Sequence, residues 1–169
     1  MASAVDTLPE CKLERTFAAP LDQVWAAWTR PDKLEKWFGP KGCTAESMKF
    51  DLRPGGVALT KLSFPGAPPM YARFIYREIS APRRLVWLHA VADEKGNATR
   101  HPMAQAMPAQ MLVVMELAAD AGQTRMTLTK APFEATADEV DAFRGMIESM
   151  TWGWGGNFDV LDEYLAGKC

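Results

Sequence analysis

The sequence predicts an α+β domain in which one antiparallel sheet lies over a long C-terminal helix, and three observations carry that prediction. Residues 136–167 hold Val140, Phe143, Met146, Ile147, Met150, Trp154, Phe158, Leu161 and Leu165 at steps of three and four, which puts them on one side of a helix that must be buried. Before it come runs of strand character separated mostly by short turns, a spacing that favours antiparallel hairpins over crossover helices. Strands and helices are segregated along the chain rather than alternating, which is the α+β pattern.

Residues 11–18 alternate, with Cys11, Leu13, Arg15 and Phe17 on one face and Lys12, Glu14 and Thr16 on the other, the period of a half-buried strand. Arg15 stands on the apolar face, where a guanidinium needs a carboxylate, a carbonyl or solvent, because burying an unpaired charge is costly. Two outcomes are open: Arg15 pairs with an internal acid such as Asp51 or Glu78, or it points into a cavity to receive an anionic or carbonyl-bearing ligand. Pro20 suits a first helical turn, and Leu21, Val24, Trp25 and Trp28 follow at helical spacing. Pro31 opens a second short helix with Leu34, Trp37 and Phe38 as its apolar side, closed by Gly39-Pro40. From Cys43 the chain reads as β. The strand 43–52 places Thr44, Glu46, Met48, Phe50 and Leu52 on one side; after the turn Arg53-Pro54-Gly55-Gly56 come strands 57–64, 71–79, 85–92, 111–118 and 125–130. Residues 93–110 form a polar loop of a length uncommon unless functional or mobile. Within the final helix, Gly153, Gly155 and Gly156 each cost ~1 kcal/mol relative to alanine. They read either as close backbone packing or a kink, or as a thinned wall beside a cavity lined by Trp154.

A chain of 169 residues fits a single domain, 1–169, with a core of about 11–167. A formal charge of -2, with both signs mixed along the sequence, gives no electrostatic footprint for nucleic acid or an anionic membrane. No run reaches the ~20 apolar residues of a membrane span and the start lacks a basic-then-apolar targeting pattern, so a soluble, cytoplasmic protein without membrane insertion is expected. Cys11, Cys43 and Cys169 match neither a disulfide framework nor a zinc motif and read as free thiols. With only His89 and His101 beside them, no metal site and no cofactor are expected.

The runs Leu13-Glu14-Arg15-Thr16-Phe17-Ala18-Ala19-Pro20, Val24-Trp25-Ala26-Ala27-Trp28-Thr29, Trp37-Phe38-Gly39-Pro40-Lys41-Gly42, Asp51-Leu52-Arg53-Pro54-Gly55-Gly56, Tyr76-Arg77-Glu78-Ile79 and Met150-Thr151-Trp152-Gly153-Trp154-Gly155-Gly156 resemble the activator of heat shock protein 90 ATPase homologue family. The resemblance implies the START-like, or SRPBCC, superfamily and its helix-grip fold: a curved seven-stranded antiparallel sheet wrapped around a long C-terminal helix, with two short helices after the first strand. It also implies that a hydrophobic cavity for an apolar molecule lies between sheet and helix. No shared catalytic motif transfers residue by residue.

The expected cavity lining is Trp154, Met150 and Phe158 from the helix with some of Phe50, Phe74 and Trp37, and the candidate polar groups are Arg15, Tyr76, Glu78 and His89. Tyr76 and Glu78 share a strand face, while either face of 85–92 could be the concave one, since Val86, Leu88 and Ala90 are apolar too. Arg53-Pro54-Gly55-Gly56 leads into a strand rather than a helix, so nucleotide binding has no support. No serine or cysteine nucleophile has an identifiable base and orienting acid. The favoured reading is a protein that binds a hydrophobic or amphipathic small molecule. A chaperone-associated protein-binding module and an enzyme acting on an apolar ligand are the alternatives, and a homodimer stays open.

Overall fold

The computed structural model describes residues 8–101 and 104–167; Cys169 and the opening residues 1–6, for which the sequence gives a free thiol and no targeting pattern, lie outside them. The elements run β1 (Cys11–Phe17), α1 (Leu21–Thr29), α2 (Pro31–Leu34), β2 (Thr44–Phe50), β3 (Val57–Ser63), β4 (Met70–Ser80), β5 (Arg84–Ala92), β6 (Met111–Asp120), β7 (Gln123–Pro132) and α3 (Ala137–Leu165). The strands form one seven-stranded sheet in the order β1-β7-β6-β5-β4-β3-β2, with every neighbouring pair antiparallel. This is the helix-grip α+β fold, and α3 packs against the concave face of the curved sheet.

α3 starts where it does because Thr136 accepts from the Glu139 N–H at 3.2 Å while the Glu139 carboxylate accepts from the Thr136 N–H at 2.9 Å. That reciprocal capping box satisfies two amide groups that a helix N-terminus otherwise leaves unpaired. Phe143, Phe158 and Leu161 are its fully buried apolar residues. Phe158 meets Phe17 of β1 edge-on at 6.3 Å and Trp28 of α1 at 6.4 Å, locking the middle of the helix to the first strand and the first helix.

Three local expectations change. α2 is four residues long and gives way to turns that end with Phe38 N–H donating to Leu34 O at 3.0 Å, so Trp37 and Phe38 leave the helix yet remain buried. In β2 a register shift between Ser47 and Lys49 inserts an extra residue and flips the side-chain phase. Phe50 therefore turns inward toward Tyr76, while Met48, expected on the same side, is exposed. The helical glycines have no packing reason: a Cβ on Gly153, Gly155 or Gly156 would meet nothing within 4 Å. Gly56 differs, since a Cβ there would lie 2.0 Å from Asp51 O, and the β2–β3 turn closes only without a side chain.

On β5 the concave side carries Leu85, Trp87 and His89; Leu85 and Trp87 belong to the main core cluster and Val86, Leu88 and Ala90 do not. On β7 the inward row is Thr124, Met126, Leu128 and Lys130, all buried. The core is therefore dense at the α1 end, where Trp28 lies 4.7 Å from Trp37 and 5.6 Å from Trp87, and changes character toward the end where His89 and Lys130 face α3.

Candidate functional site

At that end the concave face is hollow. Two lobes of about 320 and about 340 Å³ both border Trp154 and share His89, Val91, His101, Met150 and Trp154 in their walls. The first lobe is completed by Met146 and Ser149 of α3, Lys130 of β7, Met111 of β6, and Thr99, Ala104, Met107, Pro108 and Ala109 of the segment between β5 and β6. The second is completed by Phe38, Gly39, Pro40, Leu62, Met70, Tyr71, Ala72 and Asn157 and by Gly153 of α3, the one of the three helical glycines that borders a lobe beside Trp154. Described residues of the long 93–110 segment are thus part of the wall. Asp93 starts it with an Asx turn, its carboxylate accepting from the Lys95 and Asn97 N–H groups at 2.9 Å each. Arg100 then ties it down, donating to Met107 O at 2.7 Å and pairing with Glu139 of the α3 capping box at 2.6 Å. The Thr136 N–H, and after it the Arg100 guanidinium, hold the Glu139 carboxyl below its usual range.

Lys130 is the chemical centre of this arrangement, and it is only 3% exposed. Its Nζ lies over the face of Trp154, 4.8 Å from the ring centroid, and among the described residues no carboxylate or carbonyl accepts from it. Burial pushes its pKa down to about 8, against a smaller upward pull from Cys11, its register partner on β1. Desolvation disfavours the ammonium, so the pocket holds an amine poised to lose its proton. His89 lies in the same lobe between Phe74, at 5.3 Å, and Trp154, at 6.2 Å. Its Nδ1 is buried with no hydrogen-bond partner. Burial first, and then the charge of Lys130, hold its pKa well below the ordinary imidazole value, so this histidine is neutral.

Of the residues singled out in the sequence, His89, Met150 and Trp154 line the cavity. Trp37, Phe74, Tyr76 and Phe158 are instead buried in solid packing beside it, Phe74 stacked on Trp87 at 4.8 Å. Burial of the Tyr76 phenol pushes its pKa up, and its hydroxyl is buried without a partner. Phe50 packs on Tyr76 at the far end. Glu78 accepts from Arg84 at 3.0 Å on the outside of the sheet. Arg15 does not reach the cavity, and neither Asp51 nor Glu78 is its partner. Its guanidinium pairs with Asp159 and, at 2.6 Å, with Asp162, and donates to Gly155 O at 3.2 Å. It borders a depression of about 870 Å³ on the outer side of α3, larger than either lobe but rimmed mostly by exposed residues, and its charge is already neutralised there. Lys130 had a signal in the sequence, because the alternation of Met126 and Leu128 puts it on the apolar face of its strand, as Arg15 is on β1.

The family described as activator of Hsp90 ATPase homolog 1-like protein matches residues 18–166. The chain belongs to this family. No curated protein matches it, but solved structures of the same architecture do. A crystal structure of a Mycobacterium smegmatis protein is 25% identical, covers 95% of this chain and 92% of its own, and superposes with a TM-score of 0.76. A Nitrosomonas europaea protein is 26% identical over 99% of this chain and 100% of its own, with a TM-score of 0.74. An Arthrobacter aurescens protein, 24% identical over 98% of this chain and 90% of its own at a TM-score of 0.78, shares the fold. Among the described residues no group of three His, Cys, Asp or Glu could hold a metal, and no helix is long and apolar enough to cross a membrane.

Proposed function

We propose that this Hsp90-ATPase-activator-like protein binds a small apolar or amphipathic molecule in the cavity between α3 and the sheet. The observation that carries the reading is the lining: two neighbouring lobes walled by Met146, Met150, Trp154 and Val91, with Lys130 and His89 among a few polar groups. That volume and that ratio of apolar wall to polar anchor are those of small-molecule sites. Burial of the ligand's apolar surface supplies the affinity, at roughly 25 cal/mol per Å², and the polar groups fix its orientation.

The test is titration with 1-anilinonaphthalene-8-sulfonate, in parallel with native mass spectrometry of protein purified from its own host. Wild type is expected to bind one probe saturably, and Met150→Trp, which narrows the wall that both lobes share, to bind it at least several-fold more weakly. Equal binding by the narrowed variant would move the site elsewhere.

The family description names an activator of a chaperone ATPase, and one observation favours a protein contact as a second reading. Trp152, on the solvent side of α3, is 86% exposed. Stimulation of the host's own chaperone ATPase at micromolar concentrations, abolished by Trp152→Ala, would establish that reading. The expected result is no strong stimulation, because one exposed tryptophan is a small area for a stable protein interface.

A further inference from the structure

We propose that Lys130 is a carbonyl-capturing amine, forming a Schiff base with the aldehyde group of an apolar aldehyde held in the first lobe. The proposal rests on the cavity reading above and gives the ligand its reactive group. A lysine buried this far is ordinarily matched by an acid, because an unpaired charge in an apolar wall is costly. Here the groups facing it are Cys11 from β1, His89 from β5, His101 from the 93–110 segment, and Met146, Ser149, Met150 and Trp154 from α3. None of them is a carboxylate. An acidic ligand would meet a single cationic side chain and no arginine, whereas carboxylates are held by several converging donors. What the lobe offers is an amine at the edge of an apolar space whose neutral, nucleophilic fraction at pH 7 is well above that of a surface lysine, which is how buried lysines become Schiff-base nucleophiles.

In the reaction the Nζ lone pair adds to the carbonyl carbon, and the N–C bond forms as the carbonyl π pair moves onto oxygen. That oxygen takes up the proton released from nitrogen, giving a carbinolamine. The nitrogen lone pair then forms C=N while the C–O bond breaks, and the oxygen leaves as water with the second amine proton. Amine and aldehyde become imine and water, with no oxidant or reductant. Protonation of the imine restores the positive charge at the position Nζ now occupies, over the face of Trp154, where the ring quadrupole stabilises it.

The test uses the full chain with 2-naphthaldehyde, cyanoborohydride and peptide mapping, beside binding titrations of 2-naphthalenemethanol and 2-naphthoate, which match the aldehyde in size and form no imine. The reduced adduct should map to Lys130 with at least about tenfold preference over any other lysine at pH 7, because each unit by which a pKa is lowered raises the neutral fraction about tenfold. Lys130→Arg and Lys130→Met should lose that adduct while still binding 2-naphthalenemethanol, showing that the cavity persists. Labelling spread evenly over surface lysines, with the alcohol still bound, would overturn the capture chemistry and leave the cavity reading intact. Binding of 2-naphthoate far tighter than the alcohol, lost in Lys130→Met and unaccompanied by an adduct, would make Lys130 an anion anchor and also overturn it. Failure of all three compounds to bind would remove the cavity reading itself.

Discussion

Two basic residues on apolar strand faces, Arg15 and Lys130, have opposite fates, decided by what α3 brings to each. Arg15 meets Asp159 and Asp162, which stand three positions apart on the helix and remain 67% and 40% exposed. Arg15→Leu leaves those two carboxylates close together but solvated, so the expected loss is ~1–2 kcal/mol, from charge-assisted hydrogen bonds and i,i+3 repulsion, well under the cost of stranding a buried ion. Urea melts check this, and cavity binding should be unchanged. A loss of ligand affinity with stability intact would contradict the position of Arg15 outside the cavity. The sequence shows both residues as the same conflict, a charge in an apolar alternation, because the pattern registers the face and not the partner. Asp159 and Asp162 lie far from Arg15 in sequence, and only the docking of α3 makes them its partners. His89 was legible as a lone strand histidine; its neutral state follows from the aromatic packing and from Lys130, which local reading does not join to it.

At the level of elements, the strand periods, the turns and the amphipathic stripe of α3 follow from spacing alone. The phase of β2 does not, because the bulge between Ser47 and Lys49 is a pairing defect defined only against β3. The glycines of α3 are the element's unspent stability. Gly153 and Gly156 sit in helical backbone with open space where a Cβ would go. Gly153→Ala and Gly156→Ala should each stabilise by ~0.5–1 kcal/mol through helix propensity and a less flexible unfolded chain. Thermal melts would register this as a rise of several degrees for the double variant. A destabilised variant would mean that the outer side of α3 is covered by something absent from the single chain.

For the whole molecule, the buried amine makes stability depend on pH in a specific direction. The folded pKa of Lys130, about 8, lies below the 10.5 of the free side chain, so between those values the unfolded chain holds more protons than the folded one. Stability therefore rises with pH across that window, and the penalty of burying the charge is fully present below it. The span corresponds to ~3 kcal/mol at about 1.4 kcal/mol per pH unit. Lys130→Met should be more stable than wild type at pH 7 by roughly 1–3 kcal/mol, and the advantage should vanish above about pH 10.5. Chemical denaturation of both proteins at pH 7, 9 and 10.5 measures it, and a pH-independent difference would show that the ammonium carries no penalty. His89 acts with the same sign lower down: its depressed pKa means that stability is lost as pH falls below the ordinary imidazole range. Finally, the pairing of β1 with β7, which sets Cys11 opposite Lys130, imposes a birth order on the protein. The first strand to leave the ribosome is without its neighbour until the last strand emerges, and long-range closures of this kind form slowly. α3, which covers the inner face of the sheet, follows β7 in the chain, so until both have emerged the strands expose apolar surface of the kind that makes folding intermediates prone to aggregate.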